Sequence, residues 1–485
     1  MKRKFIKNLF LLIVLNLLIK PFWVFGIDRS VQNIVGSGEY GFYFSLFGFS
    51  LLFSILLDLG ITNFNNKSIS QDPSLLTKYF SNIIVVKFLL ALIYGVVSLL
   101  IAFMVGYEKR QLSLLVILVA NQFLASFLLY LRSNVSGLQF YTTDSLLSVL
   151  DRGIMIILCS VLIWGNVMHE KLRIEWFVYL QTISYSLAIA VISIVLFMKS
   201  GRLSFRLNRA LMLQIVRQTM PYALLGLLIS IYNRTDSVLL ERLLPDGQAQ
   251  AGIYAQSFRI LDAFSNFALL FAFLLLPMFA RLLGTNEDIQ PLLKISFSLL
   301  FFMCMALSVS CFAFSKPIIS ALYHEGHDYS GTVFAILVLS FIPISINYIF
   351  GTLLTANGSL RLLNIAAFGT VCINIILNII LIPKYKAIGA ATATLVSQSI
   401  ITFATIIICH RTWKFKFKRA EVGRYTIFTL VSLFIIFMLS RVNGYWLPRF
   451  VGSILFITIL GLMTGILPIK QFINAIKLQL SGINK

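Results

Sequence analysis

The feature that most constrains this chain is a repeated one: runs of about twenty apolar residues, separated by short stretches that hold charges, Gly, Pro or Asn. As a helix, a run of that length crosses roughly 30 Å of hydrocarbon. A barrel strand needs only about ten residues of alternating character, so the length of each run favours helices. Fourteen runs can be drawn, at about 7–27, 39–61, 80–106, 112–132, 145–165, 176–198, 219–243, 252–283, 293–314, 331–354, 364–383, 387–409, 425–441 and 447–468. With 59% hydrophobic and 12% charged residues and a mean hydropathy of +0.90, the 485 residues have too little polar surface to cover soluble cores. The expected fold class is an all-α integral membrane protein of about fourteen transmembrane helices.

The start, MKRKFIKNLFLLIVLNLLI, has the basic and apolar regions of a signal peptide. It lacks a small-residue cleavage site, and Lys20-Pro21 interrupts it before Phe22 and Trp23 resume. It reads as a retained first span. The net charge of +22 could suggest nucleic acid, but no nucleic-acid-binding module is present, and membrane proteins keep Lys and Arg in cytoplasmic loops. Lys2, Arg3, Lys4 and Lys7, then Lys199, Arg202, Arg206, Arg209 and Arg217, then the run from His410 to Arg424 and the tail lysines all fall on one side. The opposite loops dilute Lys109, Arg110, Lys171 and Arg173 with acids. Both termini are therefore expected on the cytoplasmic side of the membrane.

The basic linkers at 199–218 and 410–424 divide the chain into an N-terminal six-helix bundle (1–200), a second six-helix bundle (201–412) and a final segment (413–485) with two more helices and a tail. A short repeat supports that division. Gly41-Phe42-Tyr43 and Phe47 open the second run, and Gly252-Ile253-Tyr254 and Phe258 open the eighth, 211 residues later. Duplicated halves related by a pseudo-two-fold axis are a common transporter plan. No loop is large enough to form an independent active site, and no P-loop GxxxxGK[ST] appears.

The five cysteines (Cys159, Cys304, Cys311, Cys372, Cys409) lie in or beside apolar runs without CxxC spacing and read as small core residues. His324 and His327 have a metal-like look, but their loop offers no clear third ligand, and no metal or cofactor is expected. Gly461 and Gly465 have the GxxxG spacing of close helix contact, which is common by chance in apolar helices.

Charges within the spans carry the functional reading, because each costs roughly 2.5–3.5 kcal/mol at a lipid-facing helix centre. Lys87, Arg152, Asp151 and Asp58 lie within about seven residues of a cytoplasmic helix end, close enough to snorkel. Lys20 is about 18 Å in, Arg234 roughly 22 Å in, and Arg259 about 10 Å from the outer face at 1.5 Å per residue. Arg259 and Asp262 share a helical face and can pair, whereas Arg234 and Asp236 point apart and Lys20 has no nearby acid in sequence. Such charges either pair between helices or line a cavity that attracts an anion such as a diphosphate, for which Arg offers forked donors. Lys20, Arg234, Arg259 and Arg29 form the candidate substrate-binding set; Asp58, Asp236 and Asp262 are candidates for ion coupling. No catalytic residue is expected.

Three segments resemble bacterial polysaccharide flippases of the O-antigen type, within the multidrug/oligosaccharidyl-lipid/polysaccharide exporter superfamily. They are Ile34 to Gly41 with Leu57-Asp58-Leu59-Gly60-Ile61; Arg234-Thr235-Asp236 continuing to Ala251-Gly252-Ile253-Tyr254; and Asn374 to Asn378 with Ile382-Pro383-Lys384-Tyr385 and the Gly389 to Thr394 stretch. Lys386 departs from the pattern, which often has Gly after the Tyr. The resemblance covers about residues 1–412. It implies two six-helix bundles around a cavity, and a polyprenyl-diphosphate-linked oligosaccharide moved across the bilayer without bond breakage. It also implies membrane lipids as partners, and a polysaccharide polymerase and glycosyltransferases as possible ones. The rival readings are a small-molecule or multidrug exporter or a lipid II flippase of the same fold, and, further off, a membrane glycosyltransferase or polymerase.

Overall fold

In hydrocarbon a backbone must satisfy its own hydrogen bonds, and helices do so one segment at a time. The computed structural model describes residues 14–16, 18–165, 172–200, 208–415 and 419–467. Among them it is helical throughout, with no strand. The start of the expected first span (7–13, with residue 17), residues 201–207 of the 199–218 linker, Lys171 and the tail lysines lie outside the described residues. The chain divides after Gly252 into two compact units.

In the first unit, helical residues 14–16 and 18–21 run into a π-helical turn (Phe22–Asp28) that leads into α1 (Arg29–Leu52). A 3-10 turn (Ser54–Leu57) precedes α2 (Ile61–Gln71). Then come α3 (Leu75–Met104), α4 (Lys109–Gly137), α5 (Tyr141–Leu147), α6 (Leu150–Trp164), α7 (Ile174–Ser200), α8 (Arg209–Leu243) and the start of α9 (Gly247–Gly284). Its core is read from helical spacing. Leu128, Leu131 and Val135 of α4 meet Ala188, Ile192 and Leu196 of α7 and Leu76, Phe80 and Ile83 of α3. Polar links add specificity where lipid gives no hydrophobic drive between helices: Asn65 Nδ2 donates to Ser133 Oγ at 2.8 Å and to Asn134 Oδ1 at 3.0 Å.

The second unit continues α9 and adds α10 (Gln290–Ala313), α11 (Ser315–Leu322), α12 (Asp328–Leu339), α13 (Phe341–Ala356), α14 (Leu360–Trp413), α15 (Arg419–Arg441) and α16 (Trp446–Met463). The last two helices attach to α10, with Phe428, Ile436 and Ile457 packed on Met305, Ala306 and Val309. Lys294 pairs with Glu421 at 2.8 Å, and Ser453 donates to Ser310 at 3.0 Å. Gly461 lies against the Phe302 ring, while Gly465 (φ 67°) lies beyond the helix end beside the Arg424 guanidinium, so only the first member of that GxxxG pair is part of a helix.

Large apolar side chains line the outside of both units, among them Leu92, Ile157, Phe368 and Phe403, each more than 60% exposed. Only a lipid surround makes that arrangement stable. Among the described residues, eleven helices are long and apolar enough to cross a membrane, or twelve if the bent pair Val14–Leu52 and Ser54–Gln71 is one span. The expectation was fourteen, and two chain reversals account for much of the difference. In α14, Asn374 Nδ2 donates to Ser397 Oγ at 3.2 Å. Those residues would stand about 34 Å apart in a straight helix, so the element is a hairpin, turned at Lys386 (φ 53°, ψ −131°). Its arms match the expected runs 364–383 and 387–409. In α1 the Tyr40 hydroxyl donates to Asp28 Oδ2 at 2.7 Å, which requires the reversal found at Gly36 (φ 83°, ψ 166°).

The remaining expectations sort by environment. Four cysteines are buried and Cys372 is exposed. His327 caps α12, exchanging hydrogen bonds with Ser330, and among the described residues no cluster of metal-ligating side chains exists.

Candidate functional site

The sequence repeat has a structural counterpart inside each unit. Tyr43 stacks on Phe47 at 5.7 Å and 26°, and its hydroxyl accepts from Gln181 Nε2 at 2.9 Å. Tyr254 stacks on Phe258 at 5.8 Å and 27°, and its hydroxyl meets Thr394 Oγ1 at 3.0 Å. Each tyrosine thus ties the second expected span of its six-helix set to the sixth.

At one end of the first unit, helices of the two repeats touch. A Cβ on Gly41 would stand 1.8 Å from the Gln248 carbonyl oxygen, and one on Gly252 would stand 1.9 Å from that of Ser37. The same 211-residue offset that relates Gly41 to Gly252 relates Ser37 to Gln248. The contact is therefore two-fold: each glycine meets the equivalent of the other's partner. No other residue type allows two backbones so close. Gln32 Nε2 reinforces the crossing by donating to the Gly252 carbonyl at 3.1 Å.

A polar clamp surrounds this crossing. Arg110 forks onto Glu39 through Nη1 and Nη2, at 2.9 and 2.6 Å, and also reaches Glu175 at 2.9 Å. Gln111 caps α4 by accepting from the Glu108 backbone N–H and donates to Glu241 Oε1 at 2.6 Å. Arg242 pairs with Glu241 at 3.0 Å and lies 3.8 Å above the Tyr107 ring. Burial pushes the Tyr107 hydroxyl above the usual phenol range, with the Glu241 charge adding to the shift. A polar cavity of about 580 Å³ opens here, lined by Phe42, Arg110, Gln111, Glu241, Arg242 and Asp246. Arg110 and Glu39 are half exposed, so their pair contributes little stability. Its geometry instead fixes which helix ends meet.

A second polar cluster lies at the helix break between α1 and α2, where Lys87 and Asp58 meet with the Leu57 carbonyl and Ser126. The sequence reading had both charges snorkelling. The structure corrects this: the Lys87 side chain is 0% exposed and ion-paired with Asp58. The reason is that α3 begins at Leu75 rather than 80, which sets Lys87 twelve residues, about 18 Å, from the helix start.

The candidate substrate residues are spread over both units. Lys20 is exposed just before the π-helical turn, and Arg29, the first residue of α1, is half buried. Arg234 is half buried on α8, where its carbonyl lies 3.5 Å from the Cβ position of Gly48 on α1. Asp236 is buried at 1% exposure. Arg259 and Asp262, both half buried, belong to the second unit. Sequence reasoning passed over Asp28, which is 1% exposed within the π-helical turn. Its signal was a carboxylate directly after an apolar stretch, and π turns gather at functional sites.

A family model described as polysaccharide biosynthesis protein matches residues 5–283, more than half of the chain. The chain belongs to that family. No curated protein matches it in sequence. Among solved structures, a lipid II flippase, MurJ, in an inward closed conformation, matches with a TM-score of 0.76 over 96% of this chain and 100% of that one, at 15% identity. A multidrug resistance MATE transporter of the MOP superfamily, inward-facing, matches with a TM-score of 0.61 over 82% and 94%, at 16% identity. A MOP superfamily transporter from Pyrococcus furiosus, whose binding pocket is described as reversed in polarity, matches at 0.54 over 84% and 93%, at 14% identity. Identity this low establishes a shared fold. This member of the polysaccharide biosynthesis family thus has the MOP-superfamily transporter fold, and the proteins it is similar to are transporters and flippases rather than enzymes.

Proposed function

We propose that this protein flips polyprenyl-diphosphate-linked oligosaccharide units across the bacterial inner membrane by alternating access, for surface polysaccharide assembly. Family membership supports the pathway, and the observation that carries the substrate class is the excess of cations at span depth. Lys20, Arg29 and Arg234 of the first unit would meet the diphosphate, for which forked guanidinium donors are suited, and Arg259 of the second unit is a further candidate. Flipping breaks no bond, so the work is electrostatic shelter followed by a change of access.

In this reading residues 1–200 and 201–412 are the two repeat bundles, fourteen spans cross the bilayer and both termini are cytoplasmic. The clamped end at Glu39, Arg110 and Arg242 then faces outward and holds the outer side shut. Asp58, which is paired with Lys87, Asp236 and Asp262 are the acids on which ion coupling would act.

The test is complementation of a strain that lacks its own oligosaccharide flippase. Lys20→Ala and Arg234→Ala should each cut surface polysaccharide at least tenfold at normal membrane abundance, with lipid-linked oligosaccharide accumulating. Full transport in both variants overturns the reading. Rescue of lipid II flipping, or drug resistance without polysaccharide rescue, would assign the fold's other substrates instead.

A further inference from the structure

Between Leu52 and Ile61 the chain stops being a regular α-helix, and the helices on either side of the break are bent by 54°. It passes through a 3-10 turn and then two left-handed residues, Leu59 (φ 47°) and Gly60 (φ 84°). The break frees backbone oxygens. In a continuous helix the Leu57 carbonyl would accept from the Ile61 N–H; here Ile61 donates to the Asp58 carbonyl at 2.8 Å instead. The Leu57 oxygen accepts from Lys87 Nζ at 3.0 Å and from Ser126 Oγ at 3.3 Å. Asp58 caps the next helix, taking the Thr62 N–H at 3.2 Å and the Thr62 hydroxyl, and it also accepts from Lys87. Ser126 Oγ receives the third ammonium proton at 3.0 Å.

The ammonium of Lys87 is therefore ringed by one carboxylate, one freed carbonyl and one hydroxyl, each an oxygen, and its side chain is closed off from solvent. That donor set, built on an unwound segment, is the kind that unwound transporter helices present to a small hard cation. An ammonium with three donors meets three acceptors, so its hydrogen-bonding capacity is filled. Lys87 reaches the ring from α3 and Ser126 from α4, so three separate segments converge on one positive charge.

We propose that this is a monovalent-cation site whose resident cation is the Lys87 ammonium, tethered to the chain. The wild-type protein then holds its broken helix without recruiting a soluble ion at Asp58, and removing the tether opens the site to Na⁺ or Li⁺. The inference does not depend on which lipid the protein carries, since its readouts are ion binding and stability rather than transport.

The experiment uses the full chain, purified in detergent, and compares NaCl with choline chloride at equal ionic strength. Lys87→Ala should melt below wild type in choline and gain a saturable rise of a few degrees in Na⁺. It should also bind radiolabelled sodium at about one additional ion per chain beyond any background in wild type. Asp58→Asn combined with Lys87→Ala should lose both effects. Equal melting of Lys87→Ala in Na⁺ and choline, with no added sodium binding, overturns the proposal, as does an effect that survives in the double variant. A Lys87→Ala protein recovered only when extracted in Na⁺ or Li⁺ supports it. One that is unfolded in Na⁺, Li⁺ and choline alike counts against it.

Discussion

Lys87 and Asp58 lie 29 residues apart in sequence and form one charge-neutral unit inside the first half of the molecule. Either charge alone would be costly, since a buried ion stripped of its partner costs about 3–5 kcal/mol. Asp58→Asn should accordingly destabilise the purified protein by about 3 kcal/mol or more, and Asp58→Asn with Lys87→Met should recover much of that loss. Thermal unfolding followed by tryptophan fluorescence reads both; an Asp58→Asn protein within about 1 kcal/mol of wild type contradicts the pairing. This pair was not legible in the sequence. A charge near an apolar boundary reads as snorkelling until the boundary is known, and here it moved by five residues. The clamp was hidden for a related reason: Arg110 finds Glu39 71 residues away and Gln111 finds Glu241 130 residues away. Spacing along the chain cannot report such partners.

At the scale of elements, hydrophobic run length was a good guide. Runs 364–383 and 387–409 emerge as the two arms of α14, and the turn between them explains the one departure from the flippase motif. Lys386 adopts φ 53° and ψ −131°, a backbone state nearly confined to glycine. The resembling family often has Gly there, and this chain carries the strain of a side chain instead. The turn is otherwise well held, with the Ala387 N–H donating to the Tyr329 hydroxyl at 3.1 Å. Lys386→Gly should therefore stabilise the protein by about 1 kcal/mol, the relief of strain outweighing the extra freedom of the unfolded chain. A lower melting temperature for that variant would contradict this account. The α1 reversal at Gly36 was less legible, because Gly36 and Gly38 both punctuate the segment and hydropathy alone does not choose between them.

For the whole molecule, the proposed cycle requires the clamped end to open. The tightest point there is the Gly41–Gly252 crossing, where an added methyl group would overlap backbone atoms. Overpacking of this kind costs about 1–3 kcal/mol, and the cost falls on the closed state alone. Gly252→Ala should therefore shift the population toward the open state by roughly tenfold. A cysteine placed at Ala251, which is 0% exposed, in a background with the native cysteines replaced, reports the change. A membrane-impermeant thiol reagent added outside intact cells should label it slowly in the parent and several-fold faster beside Gly252→Ala. Unchanged labelling would remove the crossing from the access change, and labelling only from the cytoplasmic side would reverse the proposed orientation.

That crossing also limits how the chain can vary. A symmetric dimer makes each contact twice from one residue. Here the two halves of the contact are separate positions in one chain, yet both hold glycine and each faces the counterpart of the other's neighbour. A side chain gained at either position displaces the backbone that the other needs, so neither glycine is free to change alone.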